Sequence, residues 1–265
     1  FIGCTPILSI DASTQSVYHF SDTDKNISLL DISETFGTYD GSFVLYDNNL
    51  DSWKIYDLEE ATKRIPPEST YKIYDALLGL ESGIITPEHS SMTWNGDAFP
   101  FPSWEADQDL NSAMQNSVNW YFQAIDSQLG INRVQEFLNK IEYGNQTTSS
   151  NLDLYWSDFS LKISPLEQVT LLKKFNTNEF HLNFQNVFSV KNAIKIASTP
   201  NGNFYGKTGT GRVNGQDING WFIGYVETSD NSYYFATNIQ SDSNATGKKA
   251  FEITSDILKK LHIWN

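Results

Sequence analysis

The chain has 265 residues, 39% of them hydrophobic and 19% charged, and this composition excludes an intrinsically disordered protein. Its 32 acidic residues outnumber its 18 basic ones, and the net charge of −14 disfavours binding to nucleic acid or to an anionic membrane surface. The single cysteine, Cys4, excludes an internal disulfide, and the four scattered histidines lack metal-ligand spacing. We therefore predict neither a metal site nor a nucleic-acid partner.

The first ten residues carry no charge, and they are about half as many as the ~20 needed to span a bilayer. Three interpretations stay open: the outer end of a transmembrane helix that starts upstream, a lipoprotein cleavage site acylated at Cys4, or a strand packed on the fold. We assign 1–35 to a membrane-proximal segment and lead-in, and 36–264 to a single domain.

Alternating apolar residues around an Asp-Asn-Asn turn predict a hairpin of two strands, 41–46 and 53–56. Helical periodicity then predicts helices over 70–81, 110–128, 132–141 and 164–174. Aromatic and β-branched runs predict three antiparallel strands over 203–212, 218–228 and 232–239, before an amphipathic helix over 245–261. The pattern indicates an α/β (α+β) fold: a central antiparallel sheet from about 36–64 and 192–264, with a helical lobe, about 65–191, inserted. A cleft is expected where the two lobes meet.

A serine and a lysine stand three positions apart at the start of the first predicted helix. Pro66 and Pro67 prevent an earlier helix start, so Ser69 lies at the N-terminus and Lys72 shares its face. A serine hydroxyl needs a base within reach to become a nucleophile, and a helix N-terminus offers N–H groups to an oxyanion. By itself the pair favours a capping serine and a solvated lysine over a catalytic pair.

A Lys-Thr-Gly-Thr-Gly run, 207–211, lies inside a predicted strand, where glycine lets a ligand approach the backbone. Lys207 is a candidate to hold a substrate carboxylate, with Arg212 or Lys248 as possible second cations. A phosphate-binding loop is excluded because only three residues separate Gly202 from Gly206, and because a strand continues where a helix should begin.

Ser117-Val118-Asn119 lies between these two motifs, on the helix predicted over 110–128. The motifs S-x-x-K, S-D-N and K-T-G together are the signature of serine β-lactamases and penicillin-binding proteins. All three occur here in that order, and only the middle residue of the second is changed.

On these motifs, and on Tyr143-Gly-Asn145, Trp156 and Gly220-Trp-Phe-Ile-Gly224, residues 36–262 resemble the penicillin-recognising serine proteins. The resemblance is strongest to the class D β-lactamases and to the sensor domains related to them. It implies the serine β-lactamase or penicillin-binding transpeptidase fold.

The resemblance also implies the roles of the site residues. Ser69 would be acylated by a β-lactam, and Lys72 would be the base after carbon dioxide converts it to a carbamate that the indole N–H of Trp156 supports. Ser117 would pass a proton to the leaving nitrogen. The backbone N–H groups of Ser69 and Thr210 would form the oxyanion hole. The substrate contacts would come from Asn119, Lys207, Thr208, Gly209 and Thr210. No other cofactor is implied.

This chain departs from the class D enzymes at two places, and both departures point to a sensor. Class D enzymes carry an apolar residue where this chain has Asn119, and they tend to have Leu-Glu where it has Ser157-Asp158. An amide at Asn119 that hydrogen bonds Lys72 would prevent a lost carbamate from forming again, so the acyl-enzyme would persist.

We therefore expect the extracellular β-lactam sensor domain of a Gram-positive sensor-transducer, anchored to the cell membrane, whose long-lived acyl-enzyme signals resistance induction. Its partners would be β-lactam antibiotics and the remaining transmembrane and protease parts of the parent protein. The alternatives are a class D β-lactamase that hydrolyses penicillins and a D,D-peptidase. Three tryptophans near the cleft, Trp94, Trp104 and Trp120, are expected to pack in the core rather than contact a ligand.

Overall fold

The computed structural model describes residues 26–265, so the interpretations of the first ten residues lie outside the described part. Seven strands form one sheet in the order β1-β3-β2-β7-β6-β5-β4. Their bounds are β1 Ile27–Leu29, β2 Asp40–Asp47, β3 Ser52–Tyr56, β4 Lys195–Thr199, β5 Gly202–Val213, β6 Gln216–Glu227 and β7 Ser232–Gln240. Neighbouring strands pair antiparallel, as predicted, except that β1 runs parallel to β3. β1 lies within the predicted lead-in, so this part of the lead-in contributes to the sheet.

The helices are α1 Ser33–Phe36, α2 Leu58–Thr62, α3 Lys72–Glu81, α4 Leu110–Gln115, α5 Asn119–Leu129, α6 Ile131–Ile141, α7 Pro165–Asn176, α8 Phe184–Ala193 and α9 Gly247–Lys260. Short 3₁₀ helices cover Glu68–Tyr71 and Pro102–Trp104. The single helix predicted over 110–128 is wrong: the chain leaves the helix after Gln115, and Ser117 takes a φ of 54°, which an α-helix cannot contain. Among residues 26–265, no helix is long and apolar enough to cross a membrane.

The two faces of the sheet bury different partners. On β2, Val44 and Tyr46 face the helical lobe, whereas Phe43 and Leu45 face the opposite side, because successive side chains of a strand point to opposite faces. The second face packs against α9 through apolar side chains that include Ile257. Each such fully buried side chain contributes about 1.5–3 kcal/mol of transfer free energy. The sheet is thus a rigid support with both faces covered.

The 3₁₀ helix that precedes α3 lies directly against β5. A Cβ added at Gly209 would come within 3.1 Å of the Cβ of Glu68 and 3.2 Å of both the Pro67 carbonyl oxygen and the Ser69 nitrogen. A Cβ at Gly211 would collide with the Glu68 carboxyl group. These glycines allow the start of α3 to approach the strand, so the first and third sequence motifs lie side by side.

Candidate active site

The turn that carries Ser69 is held from two sides. The carbonyl of Pro66 accepts a 2.8 Å hydrogen bond from the indole Nε1 of Trp221 on β6. The backbone N–H of Glu68 donates to the carbonyl of Trp156 at 3.0 Å. Glu68 has a φ of 51°, a left-handed conformation that turns the chain sharply before the nucleophile. Long-range contacts therefore fix the direction in which Ser69 enters the cleft.

The amine of Lys72 lies at the centre of the site and is completely buried. Its Nζ is 2.9 Å from the Oγ of Ser69, and it also lies 2.8 Å from the carbonyl oxygen and 3.0 Å from the Oγ of Ser117. Its shortest contact is the 2.5 Å hydrogen bond to the Oδ1 of Asn119. The structure thus brings the first two motifs together around one amine.

Burial is the main cause that lowers the pKa of Lys72 well below its usual value, and the positive charge of Lys207 lowers it further. The nearby carboxyl groups of Asp75 and Glu68 act in the opposite direction but are smaller effects. Burial also lowers the pKa of Lys207, to about 7. The site therefore favours Lys72 as a free amine, the form that can act as a base.

The hydrogen-bond partners of Lys72 suit that neutral form. A free amine has two N–H donors and one lone pair, and two of the nearby atoms, the Ser117 carbonyl oxygen and Asn119 Oδ1, can only accept. When both N–H groups donate to these oxygens, the lone pair is left for a hydroxyl such as that of Ser69. The arrangement prepares Lys72 to take a proton from Ser69.

Ser117 lies in the break between α4 and α5, where its left-handed backbone exposes both its hydroxyl and its carbonyl to the lysines. The Nζ of Lys207 donates to the Oγ of Ser117 at 3.0 Å and to the carbonyl of Thr208 at 2.9 Å. The Ser117 hydroxyl is therefore 3.0 Å from each of two buried lysines. A proton can pass along this chain from Ser69 through Lys72 to Ser117.

The site opens into a cleft of about 500 Å³ between the lobes. Of the predicted site residues, Ser69, Ser117, Asn119, Thr208, Gly209 and Thr210 line it. The cleft wall also includes Arg212, the candidate second cation, and Trp104. The sequence did not predict the remaining lining residues, Phe101, Ser103, Asn116, Asp217 and Thr246. Trp104 packs against the core, as expected, and it is half-buried and also forms part of the cleft wall.

Of the predicted site residues, Lys72, Lys207 and Trp156 are not part of the cleft wall, and neither is the cation candidate Lys248. Trp156 is buried, its ring stacks on Tyr71 with centroids 6.1 Å apart, and within the described residues it is not a hydrogen-bond partner of Lys72. Of the two further cation candidates, Arg212 lines the cleft, where Asp217 holds its Nε at 2.7 Å, whereas Lys248 lies on α9.

Glu68, directly before the nucleophile, is a buried carboxyl group that the sequence analysis missed. Its Oε1 accepts a 3.2 Å hydrogen bond from the Nδ2 of Asn219. Burial raises its pKa to about 8, despite this hydrogen bond and the charge of Lys72. An acidic residue at a helix start is usually solvent-exposed, so no sequence signal identified it. In the part of the chain that the structure describes, no group of three metal-ligating side chains exists.

The chain matches the family model for the penicillin binding protein transpeptidase domain over residues 41–259. Regulatory protein BlaR1 of Bacillus licheniformis is 45% identical over 262 residues, which cover 98% of this chain and 43% of that relative. The chain thus spans less than half of the relative's length.

Two solved structures share the fold. The C-terminal domain of the Bacillus licheniformis BlaR penicillin-receptor superimposes with a TM-score of 0.88 at 46% identity, covering 91% of this chain and 98% of that one. The class D β-lactamase BAT-2 superimposes with a TM-score of 0.83 at 36% identity, covering 89% and 97%. Both the resemblance and the fold predicted from the motifs are confirmed.

Proposed function

The chain belongs to the penicillin binding protein transpeptidase domain family, and on this premise we propose that it is a β-lactam receptor domain. Ser69 forms a covalent acyl-enzyme that is too long-lived for turnover. The observation that carries the proposal is the 2.5 Å hydrogen bond between Lys72 and Asn119. The solved relative with the TM-score of 0.88 is likewise the C-terminal domain of a penicillin-receptor.

Acylation follows from the positions of three side chains. The free amine of Lys72 removes the proton from Ser69 as its Oγ attacks the lactam carbonyl, with the N–H groups of Ser69 and Thr210 binding the oxyanion. The Oγ–C bond forms, the lactam C–N bond breaks, and the nitrogen takes up the proton that Ser117 relays from Lys72. One proton moves from oxygen to nitrogen, so no external acid or base is consumed.

The cleft also suits the shape and charge of a β-lactam. Its volume of about 500 Å³ is within the range of small-molecule sites, about 300–1,000 Å³. Lys207 and Thr208 would bind the carboxylate of the substrate, and Gly209 leaves that part of β5 without a side chain. A bound carboxylate would favour the ammonium form of Lys207 and so offset its burial.

Deacylation needs a base that activates water, and a carbamate on Lys72, supported by Trp156, would supply one. The fit is chemical: Lys72 is a buried free amine, the form to which carbon dioxide adds. Asn119 opposes this state because its Oδ1 accepts from the amine N–H and would repel an anionic group at that position. Asn119 therefore keeps the amine free in the acyl-enzyme, no base activates water, and the ester persists.

The acylated domain would act as the extracellular sensor of a longer membrane-anchored protein. The support is that the chain spans 43% of regulatory protein BlaR1, which leaves more than half of that relative outside the match. The signal would pass to the transmembrane and protease parts of the parent protein and induce resistance.

The test is to incubate the purified domain with a modest excess of benzylpenicillin in bicarbonate buffer at neutral pH. Intact mass and remaining drug are followed together for hours, with Ser69→Ala as the matched control. We expect one stable adduct per chain, no further drug consumption, and no adduct in the variant. Continued drug loss with return to the starting mass would instead establish a class D β-lactamase, the alternative that the 36% identity to BAT-2 supports.

A further inference from the structure

A second polar layer lies behind the active site, between the same two helices. Asp75 follows Lys72 by three residues on α3, and Asp126 follows Asn119 by seven residues on α5, so each acid shares a helix face with a site residue. Both aspartates have no solvent exposure. The contact between α3 and α5 thus has Lys72 and Asn119 at the cleft and two acids farther along the helices.

The hydrogen bonds around the two acids are incomplete unless they share a proton. Oδ1 of Asp126 accepts from the hydroxyl of Tyr155 at 3.3 Å. Both oxygens of Asp75 and the second oxygen of Asp126 receive no N–H or O–H from any other described group. The two carboxyl groups affect each other's protonation, and a hydrogen bond between two carboxyl groups requires a proton on one of them. Two ionised carboxylates in contact here would be strongly unfavourable.

We propose that Asp75 and Asp126 form an acid–carboxylate pair that shares one proton, joins α3 to α5 and positions Lys72 against Ser117 and Asn119. The pair holds a net charge of −1. Burial and the neighbouring acid raise the pKa of Asp75, and burial raises the pKa of Asp126 to about 7, which agrees with one retained proton.

The position of the pair's negative charge affects the pKa of Lys72. The charged groups that face Lys72 are Lys207, Glu68 and Asp75, and the charge of Asp75 raises the pKa of Lys72. Asp126 is not among the groups that shift the pKa of Lys72. The other titratable groups around the pair are the tyrosines 71, 121 and 155 and the exposed Asp153.

Single substitutions should therefore move the charge in opposite directions. In Asp75→Asn the new amide donates to Asp126, which ionises, and the charge moves away from Lys72. In Asp126→Asn the whole charge lies on Asp75, next to Lys72. The acylation rate depends on free Lys72, so the acid limb of its pH profile should shift to lower pH in the first variant and to higher pH in the second.

The shared proton is tested first, by infrared spectroscopy of protein labelled with carbon-13 at the aspartate carboxyl carbon. The label distinguishes the carboxyl bands of the aspartates from that of Glu68. We expect the wild type to show one protonated aspartate at neutral pH, and either single variant to show none. No protonated aspartate in the wild type, or a band that survives in a single variant, would overturn the proposal. The wild-type measurement decides even if a variant fails to fold.

The positioning role is tested by the pH dependence of acylation by benzylpenicillin, followed by intact mass. Asp153→Asn removes a nearby surface charge and is the control that should leave the profile unchanged. Shifts of both single variants in the same direction, or a uniform loss of rate with no shift, would refute the role. This part rests on the proposed acylation of Ser69; if Ser69 is not acylated, the infrared result still decides whether the pair shares a proton.

Discussion

Replacing Asn119 by valine tests the contact that separates a sensor from an enzyme in this structure. The substitution removes the Oδ1 that accepts from Lys72 at 2.5 Å and leaves a side chain of similar size. Because Lys72 is a free amine in this site, the bond joins two neutral groups, and such a hydrogen bond contributes about 0.5–1.5 kcal/mol. Since about 1.4 kcal/mol corresponds to a factor of ten, the free-amine state should lose up to about tenfold of its stabilisation by Asn119.

The assay uses carbon-13 bicarbonate and nuclear magnetic resonance to follow a carbamate signal before and after acylation by benzylpenicillin. Intact mass gives the lifetime of the adduct in the same samples. In Asn119→Val we expect the carbamate signal to decay up to about tenfold more slowly, and the adduct to disappear faster, because a base remains available for deacylation.

The matched control is Asn116→Val, which makes the same replacement in the same cleft. The Asn116 side chain donates to the Ser112 carbonyl at 3.1 Å and does not contact Lys72, so this variant should behave as the wild type. Equal carbamate decay in wild type and Asn119→Val would refute the assigned role of Asn119.

Three further predictions concern the surroundings of the nucleophile. Gly211→Ala should lower the free energy of unfolding by about 1–3 kcal/mol, because its Cβ would collide with the Glu68 carboxyl group. Denaturant melts measure this loss, and the double variant with Glu68→Ala should recover part of it. If the double variant loses as much stability as Gly211→Ala alone, the collision is contradicted. Glu68→Gln should have the same free energy of unfolding as the wild type below pH 4.5. As pH rises through about 8, the variant should become increasingly more stable than the wild type, since ionising the buried acid destabilises the fold. A stability difference that is constant with pH argues against a buried, protonated acid. Lys207 has a pKa lowered to about 7, so benzylpenicillin binding to Ser69→Ala at pH 8 should take up a proton. Calorimetry in buffers of different ionisation enthalpy measures that uptake, and a value of zero, or equal uptake in a variant that also carries Lys207→Met, rules out carboxylate binding by Lys207.

Local signals in the sequence were sufficient to predict the nucleophile and the strand motif. The prolines before Ser69 limit where a helix can start, and the three-residue spacing to Lys72 places both on one face, so these features need no distant contact. The aromatic and β-branched residues along 203–212 likewise predict β5, because strand propensity is a property of neighbouring residues.

The break at Ser117 could not be read from the sequence, because the apolar periodicity continues from α4 into α5 while the backbone turns at one residue. The sequence determined which chemistry the chain carries, since spacing and periodicity are properties of neighbouring residues. The tertiary structure alone decided how Lys72 meets Asn119, that Glu68 is buried and that Asp75 faces Asp126. Such contacts join segments from different parts of the chain, and the burial that shifts their protonation exists only after the helices pack on the sheet.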